Sequence, residues 1–446
     1  MRMTTRSDDL GILGGGAAGM MTALLAARRG LKVALFDPHY AQPNNLFISG
    51  GLFPAAGSAL QRQAGVSDSP EAWLDDLRTF AGDSVNERIA PAVADALPRL
   101  IDTLLETSAA PLRFLADVPA PGHRVTRFHS ATPASGRALH AWLRQAIADE
   151  ATIFRHVDIP IDSVVREATG YAIHARGLRI DCASLMLAGG GFGGNPDMVA
   201  RHIPEMRGAL SSGAASNNGS LITLALGWGA ALAGMDGYQG QGHTNPGGHT
   251  RLGMSLPTLG AVIVNRDGKR FVREDIGPSA LAAHVLAQPG QVALEVFDAQ
   301  IEAQLGNHSA YGDARAAGNI IEAGDLATLA ARVAVDQAAL AQTLAACAGY
   351  AQGSTDPLGR TDFARALKPP YRASWVTGTL AHTQGGVLTD AQARVLDTQG
   401  TALAGLFAAG GTAAGLSGRG GDGYLPGNGL AQSFGLAWLA VEALTR

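Results

Sequence analysis

Cysteine is almost absent: Cys182 and Cys347 are the two in a chain of 446 residues. Two thiols so far apart offer no disulfide framework, zinc site or haem-attachment motif, and they suit a reducing compartment. Charge is also sparse, at 16% of residues with a net of -4, which leaves no basic footprint for nucleic acid. Long hydrophobic runs are missing too. Although 46% of residues are apolar, no run reaches the roughly 18 residues that would suggest a membrane span. The opening MRMTTRSDDLGILGGG passes from a short polar lead into a strand and a glycine loop, with no apolar signal region. These absences predict a globular, cytoplasmic protein with no nucleic-acid partner, no membrane insertion and no metal site, long enough for one large core or two smaller ones.

Glycine is what the chain has in quantity, 58 residues, and it is grouped in motifs. In LGILGGGAAGMMTALLAARRGLKVALFD a strand through Ile12 and Leu13 meets Gly14, Gly16 and Gly19, with Ala17 and Ala18 between the last two. An apolar helix follows, closed by Gly30, and a second strand over 32–36 ends at Asp37. This is the spacing of a dinucleotide-binding βαβ unit. Its glycines permit the tight turn, the approach of a pyrophosphate to backbone N–H groups and close helix packing, while the acid accepts from a ribose hydroxyl. A second glycine cluster, Gly189, Gly190, Gly191 and Gly194 in LMLAGGGFGGNPDM, lacks a long following helix and a second strand with an acid, and Pro196 interrupts it. It reads as a turn at the edge of a nucleotide site.

In the middle of the chain, Asp267 and Gly268 predict a hairpin turning VIVN back into KRFV, and 326–350 has a helix-turn-helix pattern. Near the end, GRGGDGYLPGNGLAQSFG places one tyrosine, Tyr424, in a glycine-rich loop ahead of a final apolar helix. A loop this poor in side chains lets backbone approach a ligand.

Seven segments in order, GGGAAG with Asp37, NNLFISGGLFPAAG, LAGGGFGGNPDM, GAVIVNRDGKRFVRE, AHTQGGVLTD, GLFAAGG and GNGLAQSFG, resemble the flavoprotein family of fumarate reductases, succinate dehydrogenases and 3-ketosteroid dehydrogenases. The resemblance implies an α/β fold: a Rossmann-like FAD-binding domain, residues 1–243 and 383–446, interrupted by a smaller α+β clamp (capping) domain over 244–382. It implies FAD as cofactor. Asn44 stands where membrane-type succinate dehydrogenases carry a flavin-linking histidine, so the FAD is expected to be noncovalent. Asn44, Asn45, Ser49, Gly50 and Gly51 are expected at the cofactor, as are Gly189, Gly190, Gly410 and Gly411. The residues that open the last helix, Asn428, Gly429 and Leu430, would face the pyrimidine edge of the flavin with the helix's positive end.

The same resemblance locates the catalytic candidates. Fumarate reductases of the family hold and protonate a dicarboxylate with arginines. The matching positions here fall near Pro278 and Ser279 and near Tyr424, none of which makes a bidentate carboxylate pair. His243 in YQGQGH and His382 in AHTQGG match substrate-facing histidines, whereas His249 and His284 have no motif support. In the ketosteroid enzymes a tyrosine before a proline–glycine turn, helped by a nearby backbone N–H, polarises the substrate ketone. Tyr424 matches it, with one extra residue before the proline. The base remains open among Tyr238, His243 and His382. Tyr238 and Arg419 are candidates for substrate binding, Arg419 through a carboxylate.

The expected function is an FAD-dependent oxidoreductase that forms or reduces a C=C bond α,β to a carbonyl. The small-molecule substrate would be a cyclic ketone or keto acid smaller than a steroid. Alternatives are a carboxylic-acid dehydrogenase or reductase (fumarate-, tricarballylate- or urocanate-like) and a flavin-binding electron-relay subunit. With no haem motif or iron–sulfur ligand set in the sequence, a separate electron acceptor or donor is expected.

Overall fold

The computed structural model describes residues 4–108, 110–247, 250–253, 255–305 and 309–446. These residues divide into two compact units. The first runs through Met198 and resumes over Gly213–Tyr238 and His382–Arg446; the second comprises Val199–Ser212 and Gln239–Ala381. Of the four crossings between the units, two fall inside the strands Tyr238–Thr244 and Tyr371–Thr383 and one inside the helix Pro196–His202.

The first unit is built on an eight-stranded sheet. Its centre is the strand Thr4–Leu13, flanked in parallel by Val33–Asp37 and Leu178–Leu187. Ile153–Val157 and Ala402–Ala408 extend the parallel order on either side. Such a sheet is covered on both faces, which is why Val33 to Phe36 read as a continuous apolar run and are all buried.

The helix Ala17–Arg28 follows the first strand and is buried at every residue from Ala18 to Ala27. Its alanines and glycine let it lie close to its neighbours, among them the C-terminal helix Asn428–Leu444. An apolar helix with no polar face is the one that sits between layers. Cys182 and Cys347 are both free and buried. Burial pushes their thiols up to about 12 and about 11.

The second unit centres on the antiparallel strands Val262–Val264, Ala293–Asp298 and Tyr371–Thr383. Alternation along Ala293–Asp298 feeds two cores: Ala293 and Phe297 pack with Leu281, Val285 and Ile301, and Leu294 and Val296 with Leu329 and Leu340. The helices Leu326–Val333 and Gln337–Tyr350 are the pair read from the sequence.

Two local expectations need correction. The turn at Asp267 and Gly268 forms, with Gly268 N–H on the Asn265 carbonyl at 3.0 Å, but KRFV does not return as a strand. Arg270 is instead drawn into ion pairs with Glu274 at 2.7 Å and Asp356 at 2.8 Å, and Val262–Val264 pairs with Ala293–Asp298. Pro196, read as an interruption, opens the seven-residue helix Pro196–His202. Proline suits a first helical turn because the N–H it lacks has no intrahelical partner there. No helix among the described residues is long and apolar enough to cross a membrane, and no group of three or more His, Cys, Asp or Glu among them could hold a metal.

Candidate functional site

Three loops leave the carboxyl ends of adjacent parallel strands in the first unit and meet one another. A Cβ built on Gly410 would lie 3.2 Å from that of Ala18, one on Gly411 2.6 Å from the Gly191 nitrogen, and Thr412 Oγ1 donates to the Gly190 carbonyl at 3.0 Å. Open α/β sheets bind their ligands at this edge.

The glycines there do different jobs. Gly14 has φ +109° and abuts the Ala188 carbonyl, and a Cβ on Gly19 would fall inside contact distance of the Gly14 oxygen. Gly51, Gly189 and Gly190 are likewise filled in by Ser135, Leu221 and Asn217. Gly16 differs. It caps the helix Ala17–Arg28 in an ordinary extended conformation, without a side-chain cap, and a Cβ there would meet no atom within 4 Å. Gly50 is nearly as open, with only a Leu52 carbon at 3.8 Å.

Asp37 stands at the end of the second strand. Its Oδ2 accepts from Gly15 N–H and its Oδ1 from His39 N–H, both at 2.8 Å, which leaves lone pairs for a ribose hydroxyl. Asn44 caps the short helix Asn45–Ile48 through Phe47 N–H and donates to the Gly15 carbonyl at 3.2 Å. Asn45 Oδ1 accepts from Ala214 N–H at 2.7 Å, and Ser49 Oγ from Gly51 N–H at 3.1 Å. The uncapped helix start, the open space at Gly16 and the acid at Asp37 fit the pyrophosphate and ribose of FAD.

The C-terminal helix begins at Gly427, also without a side-chain cap. Asn428 is fully buried; its amide donates to Ser417 Oγ at 2.8 Å and its Oδ1 is unpartnered. Gly429 and Leu430 follow at half-buried positions. Tyr424 and His382 lie edge to face, ring centroids 5.2 Å apart. Burial pushes the Tyr424 phenol up to about 12, opposed by a hydrogen bond from Gly429 N–H. Burial also pushes the His382 imidazole below its ordinary value, opposed by the Thr383 carbonyl, 3.2 Å from Nδ1. A protonated phenol therefore sits beside a neutral imidazole. Gln384 Nε2 is 3.3 and 3.4 Å from the two imidazole nitrogens.

The remaining candidates are dispersed. Tyr238 is 1% exposed, and its backbone N–H donates to the Gly420 carbonyl at 3.1 Å, anchoring the glycine loop. Arg419 is exposed, and His249 lies outside the described residues. In the second unit His243 Nδ1 is 3.0 Å from Glu295 Oε2, both side chains buried, with Glu295 Oε1 unpartnered. Arg251 in the same unit is half-buried, burial lowers its pKa, and no ion pair among the described residues reaches it. Sequence reasoning missed Glu295 and Arg251. Glu295 had a signal, a single acid in the otherwise apolar strand ALEVF.

Two substitutions separate folding from cofactor binding. Gly16→Val should fold, and unfold in urea like the flavin-free wild type, yet purify without yellow flavin, because its side chain would enter the proposed ligand space and a Cβ there meets no described atom within 4 Å. Gly19→Ala should lose roughly 3 kcal/mol or more, or fail to fold, since helix and turn must separate. Flavin retained by folded Gly16→Val would refute this placement of the pyrophosphate.

Comparison with known proteins identifies the family. Residues 9–430 match the family model described as "FAD binding domain". The chain is 30% identical over 429 residues to a probable fumarate reductase of Shewanella frigidimarina, covering 91% of this chain and 70% of that one. It is 26% identical to 4-oxocyclohexanecarboxylate 2-dehydrogenase of Sinomonas cyclohexanicum, over 91% and 88%. Among solved structures, the open conformation of a flavocytochrome c3 fumarate reductase superposes with a TM-score of 0.85 at 27% identity, covering 99% of this chain and 78% of that one. The chain thus belongs to the FAD-binding flavoprotein family of the fumarate reductases and is an FAD-dependent oxidoreductase acting on carbon–carbon bonds.

Proposed function

We propose that this flavoenzyme forms or reduces a C=C bond α,β to the carbonyl of a small cyclic ketone or keto acid, and that it holds FAD noncovalently. The observation that carries the reading is the Tyr424 hydroxyl: protonated, its oxygen accepting from Gly429 N–H, and set beside a neutral His382. The phenol O–H is then free to donate to a substrate carbonyl, and the positive end of a 17-residue helix stabilises charge developing on it. Polarising the carbonyl acidifies the α C–H. His382 can take that proton at Nε2, because Nδ1–H is engaged by the Thr383 carbonyl. FAD, when bound, supplies the two-electron exchange at the β carbon. The related 4-oxocyclohexanecarboxylate dehydrogenase supports a ring ketone of this size.

A second reading, oxidation or reduction of a carboxylic acid, is favoured by Arg251, a half-buried cation with no ion pair among the described residues, and by the related fumarate reductase. Against fumarate itself stand Pro278 and Ser279, which open the helix Pro278–Leu286 where the resemblance calls for an arginine.

Four outcomes test the proposal. Acid precipitation should release the yellow colour into the supernatant, because Asn44 offers no imidazole nitrogen for a covalent bond; colour in the pellet would contradict noncovalent FAD. With 4-oxocyclohexanecarboxylate and cyclohexanone as anaerobic reductants, Tyr424→Phe should keep its flavin spectrum and slow flavin reduction by about 10²-fold or more, while fumarate should turn over negligibly. A Tyr424→Phe rate within about threefold of wild type, or efficient fumarate turnover, would remove the ketone reading. The rate of flavin reduction should also fall only below pH 6.5, where His382, held under its ordinary value, gains a proton; an acid limb centred at or above that pH would exclude His382 as the base.

A further inference from the structure

The turn that carries Tyr424 is held by its carbonyls. Gly423 O accepts from Ser417 Oγ at 2.6 Å, Leu425 O from Asn428 N–H at 3.1 Å, Gly427 O from Ala431 N–H at 3.0 Å, and Pro426 O from His123 Nε2 at 2.9 Å. Three of these donors come from the loop and the helix it leads into. His123 comes from a segment some three hundred positions earlier.

That segment supports three successive residues of the turn. Leu425 is fully buried and fills the space over the Gly122 α-carbon, beside Phe80. Pro426 is bonded to His123, and Gly427 lies against Phe128 and Pro54.

Geometry fixes the His123 tautomer. Its Nδ1 is 3.2 Å from Arg127 Nη1, and a guanidinium only donates. Nδ1 must therefore be the acceptor, and Nε2 carries the hydrogen given to Pro426. Arg127 is itself immobilised: 1% exposed, it is paired bidentately with Asp68 at 3.0 Å through Nε and Nη2, and Nη1 also bonds Asp76. Burial pushes His123 down to about 4, the Pro426 carbonyl opposing it and the Arg127 charge adding to it. The ring is neutral, as both bonds require.

We propose that His123 is a positioning residue for Tyr424, tethering the catalytic turn to the buried Arg127–Asp68–Asp76 cluster so that the phenol hydroxyl is held at one place. The proposal rests on the reading of Tyr424 as the carbonyl donor.

The test compares His123→Leu, which removes both bonds, with His123→Gln, whose amide can donate to Pro426 and accept from Arg127. In FAD-loaded enzyme, amide hydrogen exchange across 423–430 should speed up at least tenfold in His123→Leu and stay near wild type in His123→Gln; this arm needs no substrate. Flavin reduction by 4-oxocyclohexanecarboxylate should slow about tenfold or more in His123→Leu, with its half-saturating concentration little changed, because misplacement of about 1 Å can cost up to 10²-fold. His123→Gln should recover to within about threefold. Adding His123→Leu to Tyr424→Phe should slow the reaction no further, since the two act through one hydroxyl. Unchanged exchange in His123→Leu overturns the tether. A slow Tyr424→Phe with a wild-type rate in His123→Leu overturns the positioning role and leaves the function reading intact. A fast Tyr424→Phe removes the function reading, and with it the positioning role, while the exchange data still decide whether the tether exists.

Discussion

Everything at this site depends on one close approach, that of the helix Ala17–Arg28 to the turn at Gly14. Gly19 lies so near the Gly14 carbonyl that no Cβ fits between them, and Gly14 itself presses against Ala188. The contact joins the first strand's turn, the helix and the end of Leu178–Leu187 into one rigid corner. Because protein fills the far side of that corner, the near side at Gly16 is left open with an uncapped helix start, which is where an anion is favoured. The proposed cofactor cradle is thus the complement of a packing constraint.

The C-terminal helix extends the logic to the proposed reacting end. Its body is buried beside Ala17–Arg28, so its first turn cannot drift, and the same turn supplies the N–H that meets Tyr424. Charged side chains secure what backbone packing leaves loose. Arg127 spends its donors on Asp68, Asp76 and His123. A buried network of this kind is stable only when nearly every member is satisfied, and this one is satisfied at the cluster and at the turn it reaches.

How much of this was legible in the sequence follows from the range of each interaction. The βαβ unit, Asp37 and the glycine loop before the last helix could be read, because a turn of positive φ or a helix start is specified by residues a few positions apart. The VIVN hairpin was misread because its partner strand, Ala293–Asp298, is chosen by burial about thirty residues away, and Arg270 prefers Asp356 still further on. His123 and Arg251 were invisible for the same reason, and Glu295 showed only as a lone acid in an apolar run. A histidine, an acid and an arginine acquire their meaning from Pro426, His243 and the lack of an ion pair among the described residues, none of which sequence spacing reveals. Gly14, Gly16 and Gly19 looked equivalent in the motif, and only the structure separates the glycine that leaves ligand space from the two that fill protein space.

The two cysteines carry a last consequence. Both are buried, and burial pushes their thiols up to about 12 and about 11, which disfavours the thiolate at neutral pH. The thiolate is the form that hydrogen peroxide attacks. A reduced flavin that meets oxygen generates that oxidant next to the polypeptide, and this chain presents no reactive sulfur of cysteine to it. Cysteine oxidation is therefore disfavoured during stray turnover in air.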